Sequence, residues 1–343
     1  MLRPAELKEN TMTTNMQVLL ASRPTGAVSE ENFRIVETAL PEPADGQVLV
    51  RNDWLSLDPY MRGRMSDARS YAKSVDIGEV MVGGTAGEVV ASRNAKFKTG
   101  DKVVGALGWQ RYGLSDGVGL MKIESPVAPL PAYLGVLGMP GITAWIGLVD
   151  IGQPKAGETV VVSAASGAVG SVVGQIARLK GCRAVGIAGG AAKCRHVVED
   201  LGFDACVDYK AGNLAGDLRA AVPKGIDVYF DNVGGEVLDA VLPNMNAFSR
   251  IPLCGLISQY SATEAYGVKQ FRSFLVNRIR LQGFICFDRL DLWPQARQEL
   301  GDWVAGGKIK YRESVASGIA AAPRAFIGLL KGENLGKQLV KLG

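Results

Sequence analysis

Six short apolar runs give the second half of the chain a strict alternation. Residues 159–164, 183–188, 205–207, 226–231, 250–255 and 280–285 read as strands, and the earlier ones are separated by segments long enough for a helix. Parallel strands in one sheet cannot be joined by tight turns; they need a crossover of a dozen or more residues, which a helix fills. The reading is therefore an α/β fold, a doubly wound six-stranded parallel sheet, over residues 135–310. Residues 16–134 keep a different rhythm. Runs such as QVLLAS, NFRIVETAL, QVLVRNDWLSL and GTAGEVVAS alternate with Gly, Pro, Asp and Asn turns and show almost no helical period, as in a small, twisted, partly barrel-like β domain. Residues 311–343 carry one helical pattern, AAPRAFIGLLKG, and a β run, KQLVKL, and are expected to return to that first domain. A chain of 343 residues exceeds the usual single-domain size, which agrees with two packed domains. Residues 1–15 are expected to form a loosely ordered extension, with Met12 and Met16 as alternative starts.

The first of the six strands runs into a glycine-bearing turn, SAASGAVG, followed by a helical pattern. The fingerprint is AxGxxG, with Ala165 at the first glycine position and Gly167 and Gly170 after it. Small residues there let backbone N–H groups and a helix N-terminus approach a pyrophosphate. Gly174, one turn on, would seat the helix near the sheet. A turn of this kind also occurs as a plain strand-to-helix connection; its position at the first strand of the alternating series favours the dinucleotide reading. At the end of the second strand an NAD site usually offers a carboxylate to the ribose. Here Gly189 and Gly190 stand there, with Lys193 just beyond, an arrangement that leaves room for a 2′-phosphate and pairs it with an ammonium. NADPH/NADP+ is the implied cofactor.

Composition removes several other classes. Basic residues exceed acidic ones by 38 − 34 = 4 without the clustered, aromatic-interleaved stripe of a nucleic-acid binder. No stretch approaches the roughly 18 apolar residues of a membrane span, and the N-terminal segment has no apolar signal core. Five cysteines (182, 194, 206, 254, 286), odd in number and never in CxxC spacing, fit reduced thiols and a cytoplasmic location. The single histidine, His196, is expected on a helix surface. One histidine and no cysteine cluster leave too few ligands for zinc, so no metal is expected.

Several segments together resemble a known family: LDPYMRGRM (57–65), GMPGITAW (138–145), AASGAVGSVVGQIARLKGC (164–182), FDNVGGEVLDAVL (230–242), RIPLCGLISQY (250–260) and LKGENLGKQLV (330–340). They are similar to the zinc-free branch of the medium-chain dehydrogenase/reductase superfamily, which includes prostaglandin and leukotriene reductases, plant double-bond reductases and bacterial curcumin reductases. The last of these are resembled most, through LASRPTG, LSLDPYMRGRMSD, VDIGEVMVGGT and LVDIGQPKAGE. The resemblance spans the chain from about Gln17. It implies a Rossmann domain joined to a GroES-like domain. By resemblance, Gly167, Ala168, Val169 and Gly170 line the pyrophosphate, and Lys193 with Tyr209 holds the 2′-phosphate side. Asn232, the turn bearing Cys254, Gly255, Ser258 and Tyr260, the strand end Phe284, Ile285 and Cys286, and Asn334 cradle the nicotinamide half. Tyr60 and Tyr260 match the substrate-pocket tyrosines. The segment after Tyr260, SATEAYGVKQFRSF, lacks the proline-rich stretch common in relatives, so a differently shaped or more mobile loop is expected over the pocket. A homodimer joined edge to edge through the two nucleotide-domain sheets is also implied.

The implied reaction is NADPH-dependent reduction of the C=C bond of a small-molecule α,β-unsaturated ketone or aldehyde. Hydride arrives at the β-carbon and charge develops on the carbonyl oxygen as an enolate. With no metal, a neutral donor such as the Tyr260 phenol must stabilise it, alone or with the cofactor ribose hydroxyl. The α-carbon proton would come from Tyr260 or from water. Two alternatives stand beside this reading: a zinc-free quinone reductase, and a non-catalytic NADPH-binding protein like the eye-lens relatives.

Overall fold

The computed structural model of the protein describes residues 14–343. Seven strands build the first lobe: β1 (Thr14–Leu20), β2 (Phe33–Ala39), β3 (Val48–Ser56), β4 (Thr85–Ser92), β5 (Lys102–Gly105), β6 (Tyr112–Ser115) and β7 (Met121–Lys122). β1 and β2 form an antiparallel pair, and β3 lies centrally, with β4 and β6 both antiparallel to it. The β3–β4 ladder is irregular just after the Asn52–Gly87 pair, and a Cβ at 87 would stand 1.9 Å from the Arg51 carbonyl oxygen. β1 starts two residues ahead of the boundary expected at 16. Asn15 is buried and exchanges 2.9 Å hydrogen bonds with the Tyr112 backbone, which ties the strand start to β6. Residues 1–13 of the expected extension lie outside the described residues.

The second lobe contains β8 (Thr159–Ser163), β9 (Arg183–Ala188), β10 (Ala205–Asp208), β11 (Ile226–Phe230), β12 (Met245–Leu253) and β13 (Arg280–Gly283). They form one six-stranded parallel sheet in the order β10-β9-β8-β11-β12-β13. The order reverses between β8 and β11, and that switch point opens a crevice at the carboxyl ends of the strands. β8, TVVVS, is buried throughout, as a strand covered by helices on both faces must be. β12 starts five residues before the expected run at 250. Its leading part, MNAFS, is not an apolar run, and the strand is bent there by Phe248 at φ +62° and a register shift against β11.

The chain then returns to the first lobe. β14 (Glu313–Ser317) pairs parallel with β15 (Lys337–Lys341), and β15 runs antiparallel to β3, so the last strands extend the first lobe's sheet. Helix Ala322–Leu330 between them buries Phe326 against Phe33 and Trp109, with ring centroids 6.4 and 5.6 Å away. This aromatic trio holds the C-terminal segment on the N-terminal core. Among the described residues no helix is long and apolar enough to cross a membrane.

Candidate active site

The glycine turn is shaped by close backbone contacts. The chain leaves β8 through Ala164 at φ +51°, doubles back with a 2.9 Å bond from Gly167 N–H to the Ala164 carbonyl, and enters helix Gly170–Leu179. A Cβ at 170 would lie 2.4 Å from the Ala164 oxygen, so only glycine fits. Ala165, the departure from the full fingerprint, is accommodated by its neighbour strand: a Cβ at Gly186 on β9 would lie 2.7 Å from the Ala165 methyl. The glycine missing from the turn is compensated by one on the sheet. Gly174 has a different neighbour from the one expected. A Cβ there would collide with the Phe203 ring at 1.7 Å, so it makes room for Phe203.

The C-terminal segment is laced to this turn. Gly336 N–H donates to Ser166 O at 2.8 Å, and Gly167 and Gly336 form a parallel bridge. Asn334 is thereby delivered beside Gly167, with its Nδ2 bonded to the Gly336 carbonyl at 2.7 Å. Ser171 N–H donates back to Gly167 O and Val172 and Val173 N–H to Val169 O, whereas the amides of Ala168, Val169 and Gly170 at the helix opening make no hydrogen bond among the described residues and offer a donor-rich cradle suited to a pyrophosphate.

At the end of β9 the expected phosphate side carries two cations rather than one. Tyr209 folds its ring over Gly189, where a Cβ would sit 2.8 Å from the phenol oxygen, so Gly189 serves Tyr209 as well as a ligand. Lys193 donates to the Gly332 carbonyl at 2.5 Å, across from the first lobe's tail. Burial and the charge of nearby Lys210 hold its ammonium below the usual lysine range. Lys210 also lies 5.9 Å from the Tyr209 ring centroid. The Asp208 carboxylate is occupied by the Gly190 and Lys210 amides at 2.7 and 2.9 Å, which brace the turn. Lys210 and Asp208 were not recognisable in the sequence, since neither sits in the fingerprint.

Between β8 and β11 a buried network orders the other half of the crevice. Asp231 Oδ1 accepts from Tyr229 Oη (2.8 Å), Ser163 Oγ (3.2 Å) and the amides of Val233 and Gly234 (both 2.9 Å), while Oδ2 is buried without a partner. Burial pushes the Asp231 carboxyl up despite those donors. Asn232 is locked by Ser163 through its own amide (2.9 Å) and its Nδ2 (2.8 Å). The turn after β12 is tied to the same loop: the Cys254 and Gly255 amides donate to Asp231 O, Ile257 N–H donates to Asn232 O, and Ser258 Oγ donates to Val233 O at 2.6 Å. Phe284 packs edge-on to Phe230 at 6.1 Å, and Ile285 leads into buried Cys286.

Tyr260 ends the Cys254–Tyr260 turn, and its hydroxyl accepts from Leu256 N–H at 3.4 Å. Burial raises its phenol above the usual tyrosine value, with the nearby Cys254 and Tyr71 adding to the rise. Tyr60 precedes helix Met61–Arg64 in the first lobe; burial pushes it up strongly, with Asp58, Tyr71 and Cys286 adding to the effect and Arg64 opposing it. The two expected tyrosines therefore share a third neighbour, Tyr71, which no motif or periodicity in ARSYAKSV distinguishes. Cys254 and Cys286 lie on the nucleotide-lobe side, both thiols pushed up by burial. The loop beyond Tyr260, expected to be differently shaped or more mobile, is anchored at its far part: Tyr266 Oη and the amides of Lys269 and Gln270 all reach Asp239 at 2.7–3.1 Å.

His196 departs from its expected surface position. Its helical location holds, but the side chain is buried and bonds Asp200 at 2.6 Å, because this face of the helix packs toward β9 and β10. Among the described residues no three His, Cys, Asp or Glu side chains converge on a point that could hold a metal ion.

Residues 16–123 match the family described as the N-terminal domain of oxidoreductase, and residues 168–304 match the family described as zinc-binding dehydrogenase. The sequence is 53% identical to the NADPH-dependent curcumin reductase of Escherichia coli over 334 residues, covering 96% of this chain and 97% of that protein. It is 42% identical to the NADP(+)-dependent 2-alkenal reductase of Nicotiana tabacum, covering 95% and 97%. The crystal structure of CurA from Vibrio vulnificus in complex with NADPH superposes with a TM-score of 0.92 at 51% identity, covering 96% of this chain and 99% of that one.

Proposed function

The chain belongs to the zinc-free branch of the medium-chain dehydrogenase/reductase family, and from that premise we propose that it reduces the C=C bond of α,β-unsaturated ketones and aldehydes. It is an NADP-dependent oxidoreductase. In this reading residues 135–310 bind the cofactor, and residues 16–134 with 311–343 form the substrate lobe. Gly167, Ala168, Val169 and Gly170 hold the pyrophosphate region, Lys193, Tyr209 and Lys210 hold the 2′-phosphate, and Asn334 lies with the nicotinamide half. Asn232, Cys254, Gly255, Ser258, Phe284, Ile285 and Cys286 hold the nicotinamide half.

Bound NADPH supplies the hydride that the β-carbon of the substrate accepts. The protein's part is to exclude water and to meet the charge that develops on the carbonyl oxygen. What supports the reading most is the grouping of Tyr60 and Tyr260 beside Cys254 and Cys286, where burial pushes both phenols up and keeps them protonated and able to donate, with the more exposed Tyr71 next to them. A preorganised neutral donor aimed at a developing oxyanion is worth about 10²–10³ in rate. We assign that donation to the Tyr260 hydroxyl, with Tyr60 completing the pocket.

The test is steady-state NADPH oxidation with an enone, an enal and a quinone offered in parallel. Turnover of the first two well above the third is expected. Preference for the quinone would replace this reading with a quinone reductase, and cofactor binding without turnover of any would make the protein a non-catalytic NADPH binder.

The same reading includes a homodimer in the cytoplasm. β13 is an edge strand, exposed at each of its four positions, and its unpaired backbone can continue the sheet into a second copy. All five thiols are free, as a reducing compartment requires. A monomeric mass by light scattering would remove the dimer.

A further inference from the structure

Two of the five free cysteines converge beside the phosphate end of the cofactor site. Cys206 lies on β10 in register with Gly186 of β9. A Cβ at 186 would stand 3.2 Å from the Cys206 sulfur and 3.0 Å from Cγ1 of Val197, so the sulfur and Val197 meet over the same bare backbone. Val197 belongs to the helical stretch that runs from Ala191 through Asp200, and Cys194 stands three positions before it, one turn away on the same face. That sets the Cys194 sulfur against Cys206, whose S–H donates to it, with the Ala188 backbone in reach of both.

The reduction of a double bond has no use for this pair. Cys254 and Cys286 belong to the nicotinamide half, and Cys182 lies at the other end of β9, where its thiol donates to the Lys155 carbonyl at 3.2 Å. Burial pushes both Cys194 and Cys206 up, Cys206 strongly. Cys206 therefore keeps its proton as the donor, and Cys194, which receives that bond, is the sulfur that can become nucleophilic.

The pair also spans the two elements that carry the cations of the 2′-phosphate side. Lys193 immediately precedes Cys194 on its helix, while Tyr209 and Lys210 follow the end of β10, at Asp208, two residues beyond Cys206. The charges of Lys193 and Lys210 are close enough to oppose each other. A change in the spacing between that helix and β10 is thus a change in the spacing of the cations.

We propose that Cys194 and Cys206 form a redox-modification site, oxidised by hydroperoxides to an intramolecular disulfide that weakens NADPH binding. The inference rests on the assignment of Lys193, Tyr209 and Lys210 to the 2′-phosphate. The Cys194 thiolate attacks one peroxide oxygen and becomes a sulfenic acid; the O–O bond breaks, and the other oxygen leaves as water or an alcohol. The Cys206 sulfur then attacks the sulfenic sulfur, and its proton departs with the hydroxyl as water. Two thiols lose two electrons and one hydroperoxide gains them, and a dithiol reductant reverses the change. Bridging closes the sulfurs from contact to about 2.05 Å, which draws the helix toward β10 and shifts Lys193 against Lys210. By linkage, NADPH holds the pair in its dithiol form by the same factor that the disulfide costs in affinity.

Treatment of the full chain with hydrogen peroxide tests this, read by intact mass, peptide mapping and fluorescence titration with both cofactors. The expected product has lost two hydrogens and carries peptides linked through Cys194 and Cys206. Its NADPH dissociation constant should rise about tenfold and return with dithiothreitol, while NADH affinity stays within about twofold. Saturating NADPH should raise the midpoint potential of the pair by about 30 mV, the equivalent of that tenfold. Cys194→Ser and Cys206→Ser should each lose the bridge and the affinity change together, with enone turnover of the untreated proteins close to wild type.

Several outcomes overturn the proposal. A bridge through Cys182, Cys254 or Cys286, a Cys194 carried on to sulfinic acid without a bridge, or no oxidation of the pair would each remove the site. A bridge between Cys194 and Cys206 that leaves NADPH affinity unchanged would remove the effect on the cofactor. Should either serine variant fail to fold, mapping and titration of the wild-type protein decide alone. Failure of the parent assignment is separate and needs no oxidant: the reduced protein would then bind NADPH and NADH equally.

Discussion

Lys337 Nζ donates to Asp58 Oδ1 at 2.9 Å across 279 positions of sequence, in a site where the two side chains are 4% and 8% exposed. The same ammonium donates to the Leu57 carbonyl at 2.6 Å, and Ser56 Oγ holds the other Asp58 oxygen. Gly336, the preceding residue, is bonded to Ser166 in the glycine turn. One short stretch of β15 thus touches both the cradle of the pyrophosphate and the turn that leads into Tyr60.

Removing one member of this pair should be far more damaging than removing both. Lys337→Met leaves a buried carboxylate uncompensated, at a cost of about 3–5 kcal/mol, and the Asp58→Asn/Lys337→Met double variant should recover most of it. Urea denaturation of the three proteins checks this. A single variant within about 1 kcal/mol of wild type would show that the pair contributes little.

A second ion pair sets an acid limb. Arg250 grips Glu158 with both nitrogens, at 3.0 and 2.7 Å. Burial alone would push the Glu158 carboxyl up, but the Arg250 hydrogen bonds and charge, helped by the Lys155 amide, outweigh it and hold the group below its ordinary 4.5. A folded value below the unfolded one gives stability that is present above pH 4.5 and is lost as pH falls through the folded value. Glu158→Gln should cost about 1.5–3 kcal/mol at pH 7 and flatten the dependence of the unfolding midpoint on pH below about 4.5. An unchanged acid limb in that variant would assign the dependence to other carboxylates.

Cofactor choice is expected to depend on Lys193. Its ammonium meets the Gly332 carbonyl, a weaker acceptor than a 2′-phosphate. Lys193→Ala should weaken NADPH binding by about tenfold to a hundredfold and leave NADH unchanged. Fluorescence titration with both cofactors separates the cases, and equal loss for the two would show that Lys193 does not read the phosphate.

Tyr260→Phe keeps the ring and deletes the hydroxyl. If that hydroxyl meets the developing enolate, single-turnover hydride transfer should slow by about 10²-fold with NADPH affinity nearly unchanged. A rate within a fewfold of wild type would leave Tyr260 as a wall of the pocket and shift the donation to Tyr60, Tyr71 or the cofactor ribose.

The six strands of the second lobe, the turn at Gly167 and Gly170, and the absence of a carboxylate after β9 could all be read from residue order. Each depends on local rules: apolar runs of strand length, crossovers long enough for helices, and a backbone approach that tolerates no side chain. β12 shows where such rules stop, because its first residues owe their strand geometry to β11 and to the bend at Phe248 rather than to their own pattern. The match between Ala165 and Gly186, the approach of Tyr71 to Tyr60 and Tyr260, and the Lys337–Asp58 pair belong to the tertiary structure alone. They join segments from opposite ends of the chain or from different lobes, and no periodicity records which distant residue will supply or withhold a partner. A buried charge is tolerated or costly according to what folding brings within about 3 Å of it, and only the assembled core decides that.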